Sequence, residues 1–540
     1  MKTTSSSNKT VNKKSRTLII AAALTVTTIL TGRKVDELSA DPVGDKDCPP
    51  ASPETIEPTS IANTLTVKAS SPVAVTWVQK GGTINDASCL NRTSVYGIVK
   101  VTSVDDIQQA LAFARENGLK VSIAAVRHSM GGQAFAKNAV VLDMRGFNQI
   151  KLDEAQRMIT VQSGATWHDI QNLLHPKYAV KAMQSTDIFS VGGSISVNAH
   201  GMDHQVGAIG RTIRAMRVML PSGEIKQVSR SENPDLFNLV IGGYGLFGIV
   251  LDVDLDITDN IIYDPGRRVL DYAEFPQVFA QELGTDKRLG LLYGHLSTAP
   301  ESLLREMLLY TYEAQTLAHS EAQIDPLGEV SGTKLRRFVM NFAKLGAVPM
   351  RIKWFAEKYV EPRMESCSVS RNQAMKEGEA CLVSRNQPMH DSVPYLRNSL
   401  KGETDILQEY FIPRDQFVPF VDGLRELVRA RQVNLLNASI RVVHQEDNFL
   451  NYAPQDAFSV VLYINQQTDE AGNAKMRQVT SELIDLSNRV RGRFFLPYQL
   501  YYTDTQLKQA YPEIDAFFAA KRQYDPQEIL TNTFYEKFGR

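Results

Sequence analysis

The chain has 540 residues, 43% hydrophobic and 22% charged, with a net charge of −1, which is room for two or more domains of ordinary globular composition. Lys2, Lys9, Lys13, Lys14 and Arg16 place every charge of residues 1–32 on the positive side. The rest is mildly acidic, which excludes a nucleic-acid partner of the basic-patch kind. The cysteines, Cys48, Cys89, Cys367 and Cys381, show no paired ligand spacing, so no metal centre is expected.

Residues 1–40 read as an export signal or a signal anchor: the basic segment is followed by an apolar run, Thr17 to Gly32. That run is shorter than the roughly 20 residues that span hydrocarbon comfortably. It leaves open a cleaved leader or membrane association through residues 17–32, and either form places the body outside the cytoplasm, periplasmic or extracellular. Residues 41–74 are a Pro/Ser/Thr-rich linker. From Val95 the pattern is strand, helix, strand. Ile98–Val101 is a strand, and Ser103 and Asp106 cap a helix carrying Ile107, Ala110, Leu111 and Ala114, which Gly118 stops. Val121–Ala125, Val140–Met144 and Met158–Val161 are further strands, and Thr166 to Ile170 opens a second helix whose His168 and Asp169 read as capping residues. Pro221–Glu224 turns a hairpin, and Ile249–Leu255 alternates as a half-buried strand. An α+β unit over 75–262 accounts for this.

Beyond Pro265 the character changes. Residues 272–360 are expected to be helix-rich with scattered strands, and 361–395 irregular and polar, with Cys367 and Cys381 either paired or free. Strand Leu407–Phe411, helix Phe417–Arg431, strands Ser439–His444 and Phe458–Ile464 and a helix from Ala474 to Val490 follow.

The chemistry concentrates in small-residue turns. Arg127-His128-Ser129-Met130-Gly131-Gly132-Gln133, Ser163-Gly164-Ala165 and Val191-Gly192-Gly193-Ser194-Ile195-Ser196 lead to Asn198-Ala199-His200-Gly201, with Gly245-Leu246-Phe247-Gly248-Ile249 further on. Glycine lets backbone approach a ligand closely, and successive backbone N–H groups form concavities suited to a diphosphate.

In this order these motifs resemble the FAD-binding domain of the vanillyl-alcohol oxidase/p-cresol methylhydroxylase superfamily, and the chain is closest in feel to alditol and aldonolactone oxidases. The resemblance implies a PCMH-type two-subdomain FAD-binding domain over 75–262, an α+β substrate (cap) domain over 263–490, and a C-terminal segment, 491–540, that returns to the flavin domain through Asp525 to Asn532. It implies FAD held by Val126, Arg127, His128, Ser129, Met130, Gly131, Gly132 and Gln133. Ser185, Thr186, Gly192, Gly193, Ser194, Ser196 and His200 match the second flavin segment; Gly248, Ile249 and Asn532 complete the set. His128 falls where many members carry a histidine bonded to the flavin 8α carbon, although Ala125, Val126 and Arg127 replace the usual glycines.

The substrate side is carried by Arg441, on the strand that in alditol and aldonolactone oxidases alternates an acid and an arginine. Ser439 stands here in the acid's place. Glu409, His444 and Tyr498 are the other catalytic candidates, and Asp187 lies near the place of a cytokinin dehydrogenase base. His204 reads as a solvated loop residue. The implied activity is FAD-dependent hydride transfer from a carbinol or lactone-type C–H of a small molecule, with oxygen or another acceptor closing the cycle. The alternatives are a flavin-dependent reductase or dehydrogenase on a lipid-like substrate, and a flavin-fold binding protein without turnover.

Overall fold

The computed structural model describes residues 32–40, 75–315, 324–328, 332–361, 382–390 and 400–540. Residues 1–31 of the segment expected to be an export signal or anchor, the whole of the expected linker 41–74, Cys48 and the Cys367–Cys381 pairing lie outside the described residues. Cys89 is disulfide-bonded.

A four-stranded sheet comes first, in the order Trp77–Lys80, Gly97–Lys100, Val140–Asp143, Val121–Ala124, with the last three strands parallel. The helix Val104–Glu116 covers it. Its start is fixed by a capping box in which Ser103 and Asp106 bond reciprocally. Its Ile107, Ala110, Leu111 and Ala114 recur at helical spacing and pack against Val99, Val121, Val140 and Leu142. The chain's end comes back to the free edge: Leu530 bridges Val121 in parallel, and Ser122 Oγ donates to Thr531 O at 2.7 Å. The Asp525 carboxylate shapes this return by accepting from the N–H groups of Ile529 and Leu530 and by pairing with Lys521.

A six-stranded sheet follows, built on the long strand Ile249–Asp259, which pairs with Ile213–Met219, Met158–Gln162 and Tyr178–Val180. The third sheet has eight strands, antiparallel throughout. Its order is Val383–Ser384, Ile262–Asp271, Glu306–Ala314, Leu289–Leu296, Asn434–Val443, Ala457–Gln467, Glu403–Pro413, Arg493–Phe494. Residues 272–360, expected to be helix-rich with scattered strands, hold helical stretches from Tyr272 to Leu283, Thr333–Ala343 and Ala347–Tyr359. Two of the sheet's strands, Leu289–Leu296 and Glu306–Ala314, run between the first two of these. Both sheet faces are covered there, so the strands read as continuous apolar runs rather than alternating ones. Met307 and Leu309 join the main core, whereas Leu308 and Tyr310 pack with Trp354 on the opposite face.

The two-residue period of the strands decides what faces the interior cavity. In Glu403–Pro413, Gln408 bonds Thr480 of the helix Glu470–Arg489 and Tyr410 packs on Phe420 of the helix Phe417–Ala430. Asp405, Leu407 and Glu409 consequently face the other way, onto the cavity. Asn437, Ser439 and Arg441 of the next-but-one strand, and Val461 and Tyr463 between them, do the same.

Candidate active site and cofactor cavity

A cavity of about 1920 Å³ runs between the sheets. Its first wall is the turn after strand Val121–Ala124. Arg127 adopts the left-handed region, φ +58°, unusual for a residue with a Cβ. It is held there by Ala87 N–H donating to its carbonyl at 3.1 Å. The turn presents His128, half-buried on the cavity wall and edge-on to Phe189 at 5.2 Å between ring centroids. Val126, Arg127, Ser129, Met130 and Gln133 share this wall.

Gly131 and Gly132 do not. They dock the turn onto other segments, since a Cβ on Gly131 would meet Tyr498 O at 2.2 Å. Gly132, at φ +77°, donates its N–H to Asp86 Oδ2 at 2.9 Å. Gln133 Nε2 bonds Leu496 O and Tyr498 O, and Met130 N bonds Pro497 O. The two glycines thereby bring the C-terminal segment to the cavity. Asp86 is buried, which pushes its carboxyl up to about 6 despite bonds from Ser88, Asn91 and Gly132.

The second wall segment is Gln184 to His200. Ser185, Thr186, Gly192, Gly193, Ser194, Ser196 and His200 all line the cavity, as does Gly248. Gly192 packs tightly on Ser163, whereas a Cβ on Gly193 would meet only Ser190 Oγ, so its open side gives a ligand room. Along these walls Asn85 Nδ2, Ser163 Oγ, Gln184 Nε2, Ser185 Oγ and Thr186 Oγ1 are buried with no hydrogen-bond partner among the described residues. Buried polar groups are normally paired, and each unpaired one costs about 1–3 kcal/mol. Five on one wall, beside a backbone opened by glycine, fit a large polar cofactor such as FAD.

Ile249 and Asn532 stand behind this surface. Ile249 is buried in the core cluster between the wall residues Gly248 and Val250. Asn532 caps the helix Thr533–Phe538 and donates to Tyr244 O at 2.8 Å, fixing the Tyr244–Gly245 turn, which does line the cavity.

The opposite wall is charged: its Glu409 carboxylate accepts from neighbouring hydroxyls, while both ring nitrogens of His200 are buried with no hydrogen-bond partner among the described residues. Glu409 Oε1 lies 2.7 Å from His200 Nε2 and accepts from Ser459 Oγ at 2.5 Å; Tyr498 donates its hydroxyl to Oε2 at 3.4 Å. Burial alone would raise this carboxyl, but His200, Arg441 and the Ser459 hydroxyl outweigh it and hold Glu409 below the usual carboxylate range. Burial, reinforced by Glu409, pushes the Tyr498 phenol well up, so it stays a neutral donor. Arg441 lines the cavity beside them. Ser459 carries no motif; only its period-2 relation to Val461 and Tyr463 marks it as facing the cavity.

Four expectations are corrected. His444 is off the cavity wall: its Nε2 donates to His204 O at 2.5 Å and its Nδ1 lies 3.7 Å from Asp456. It is the first residue beyond the strand Asn434–Val443 and stands an odd number of residues from Arg441, so the period that serves Arg441 does not carry it to the cavity. His204 is buried rather than solvated, and burial lowers it to about 4. Asp187 faces away from the cavity toward His168, and the helix start is capped by Thr166 and Asp169 reciprocally, without His168.

Residues 95–229 match the family described as FAD binding domain, and residues 405–538 match D-arabinono-1,4-lactone oxidase. The chain is similar to decaprenylphosphoryl-beta-D-ribose oxidase of Mycolicibacterium smegmatis, 28% identical over 170 residues, 31% of this chain and 37% of that one. It is similar to cytokinin dehydrogenase 2 of Arabidopsis thaliana, 30% identical over 162 residues, 28% of this chain and 32% of that one. It also resembles L-gulonolactone oxidase of Mus musculus, 26% identical over 160 residues, 28% of this chain and 35% of that one. The similarity thus spans little more than a third of the length of the curated relatives it matches. The first family match holds His128 and the second flavin segment; the second holds Glu409, Arg441 and Tyr498.

Proposed function

We propose that this chain, an FAD-linked member of the vanillyl-alcohol oxidase/p-cresol methylhydroxylase superfamily, oxidises a carbinol or lactone-type C–H of a polar small molecule. The observation that carries the reading is the buried Glu409–His200–Ser459–Tyr498 cluster beside Arg441, at a cavity whose other wall fits FAD. When bound, FAD supplies the hydride acceptor for the substrate carbon. The cavity turn Val126–Gln133 and the segment Ser185–His200 would hold it, with His128 as the point of covalent attachment.

The chain's own residues then have distinct tasks. Arg441 binds the substrate oxygen and supplies positive charge where negative charge develops. Tyr498, kept neutral, donates a hydrogen bond. Glu409, ionised at neutral pH, fixes His200, and the pair takes the hydroxyl proton. Arg441→Ala tests this assignment in a rapid-mixing measurement with aldonolactones and alditols: flavin reduction should slow severely, and unchanged reduction would remove Arg441 from the mechanism. Oxygen as acceptor is checked by oxygen consumption in the same reaction.

The body is proposed to work outside the cytoplasm, with membrane association through residues 17–32. The basic leader, its apolar run and the disulfide at Cys89 support this. The helix Gly32–Ser39 packs on Thr333–Ala343 through Asn341 Nδ2 donating to Leu38 O. Beside it Leu335, Leu345, Val348, Phe355 and Tyr359 are exposed. Among the described residues no helix is long and apolar enough to cross a membrane. The decaprenylphosphoryl-beta-D-ribose oxidase similarity favours a lipid-like substrate as the second reading. Fractionation of cells expressing the full chain tests the location; recovery in the cytosol would contradict it.

A further inference from the structure

Behind the flavin wall three residues far apart in sequence meet: His168, in the first turn of the helix Trp167–Leu174; Asp187, on the cavity-wall segment; and His390, at the end of the helix Gln387–His390. Asp187 Oδ2 lies 2.9 Å from His168 Nδ1 and 3.1 Å from His390 Nδ1. The imidazole rings stack, 5.1 Å between centroids and 18° between planes. The His390 and Asp187 side chains are 2% and 4% exposed and that of His168 34%, so the cluster is buried yet open at one corner.

The hydrogen-bond chemistry restricts what this cluster can be. His390 Nε2 lies 2.9 Å from Gly328 O, and a carbonyl only accepts, so Nε2 carries the hydrogen. Nδ1 of the same ring then faces the carboxylate either as one end of an imidazolium or with a lone pair. A lone pair 3.1 Å from a carboxylate oxygen calls for a cation between them. Ligand atoms of a tetrahedral divalent ion with bonds of about 2.0–2.1 Å stand roughly 3.3 Å apart, so a few tenths of an ångström of opening brings the two nitrogen–oxygen separations to that spacing. A ligating histidine also typically donates its other N–H to a backbone carbonyl, as His390 does to Gly328. The Asp187 backbone is anchored too: its carbonyl accepts from His168 N–H at 2.8 Å.

We infer that His168, Asp187 and His390 form a binding site for a divalent transition metal of the Zn²⁺ class. Two imidazoles and one carboxylate suit Zn²⁺ and disfavour Ca²⁺ and Mg²⁺, which prefer oxygen ligands. The ion ties together three segments: the helix Trp167–Leu174, the wall that presents Ser185 and Thr186 to the cofactor, and residues 382–390 of the eight-stranded sheet region. Its role is structural, because Asp187 and both histidines lie off the cavity wall. The inference is independent of the proposed reaction.

The test uses untagged full-length flavoprotein, stripped with EDTA and titrated with Zn²⁺ by calorimetry, with metal analysis and thermal melting alongside. We expect about one Zn²⁺ per chain and a melting temperature raised by the ion. Asp187→Asn and His390→Gln should each weaken binding at least about tenfold. Ca²⁺ and Mg²⁺ at the same concentrations should not shift the melt. Should the variants fold poorly, the stripped natural chain decides by itself. Substoichiometric, weak uptake, or equal Zn²⁺ affinity in a folded His168→Ala/His390→Ala protein, would overturn the site and leave a His390–Asp187 ion pair.

Discussion

The two walls of the cavity are built on opposite principles. On the cofactor wall, small residues and backbone leave Asn85, Ser163, Gln184, Ser185 and Thr186 with buried polar atoms that nothing among the described residues satisfies. On the substrate wall, Glu409 accepts from Ser459 and Tyr498 and lies 2.7 Å from His200 Nε2, and further along Asp405 is held by Lys344 at 2.7 Å and Asn465 at 2.7 Å. The first surface is complete only with a ligand in place; on the second, the Glu409 and Asp405 carboxylates are fixed without one. A tightly held cofactor can supply the missing bonds once, whereas a substrate that comes and goes is best met by groups whose geometry is already fixed.

The largest expected break comes from the substrate wall. Arg441→Ala should slow flavin reduction roughly 10²–10³-fold while leaving flavin content unchanged, as rapid-mixing absorbance and the flavin-to-protein ratio would report. Loss of flavin together with the rate would mean that Arg441 belongs to the cofactor wall.

The walls should also respond to pH with opposite signs. Asp86, on the cofactor wall, has its carboxyl raised from 3.8 to about 6 by burial. Its neutral form is accommodated fully at low pH. As pH rises from about 4 through 6 the native site resists a charge that the unfolded chain already carries, and about 3 kcal/mol of stability is lost. Glu409 is held below its ordinary value, so its contribution is full above pH 4.5 and is lost as pH falls through the folded value. Urea unfolding from pH 4 to 7 should therefore show Asp86→Asn gaining on the natural chain as pH rises. Carried below pH 4, the same series should show Glu409→Gln losing ground as pH rises to about 4.5 and keeping a constant deficit above it. Parallel curves for both variants would break the comparison.

Smaller effects follow from the positioning residues. Gly131→Ala drives a Cβ to within 2.2 Å of Tyr498 O and should cost about 1–3 kcal/mol, read as a lower melting temperature and looser flavin retention. Asn532→Ala removes a helix cap and the bond to Tyr244 O. It should cost about 1 kcal/mol with little change in the reduction rate.

How much of this was legible in the sequence followed the range of the interactions. The capping box at Ser103–Asp106, the stop at Gly118 and the glycine turns are local, and each was readable from a few neighbouring residues. So was the alternation that turns Glu409 and Arg441 the same way. The sheet that carries them was less so, because Leu289–Leu296 pairs with Asn434–Val443 across more than a hundred residues, and its apolar runs lack the alternation that marks a one-sided strand. The docking by Gly131 and Gly132 was hidden for a related reason: a glycine signals close approach, but not whether ligand or backbone approaches. His444 stands an odd number of residues from Arg441, so the same period that turns Arg441 to the cavity turns His444 away from it. His168, Asp187 and His390 are too far apart in sequence for any spacing rule to join them.

The central claim is that the incomplete wall is an FAD site with His128 as the attachment point. Acid precipitation of the purified full-length protein tests it most directly. The account predicts yellow colour in the pellet and a flavin-bearing proteolytic fragment that contains His128. Flavin released wholly into the supernatant would contradict the attachment, and no flavin after growth or refolding with added FAD would contradict the site itself.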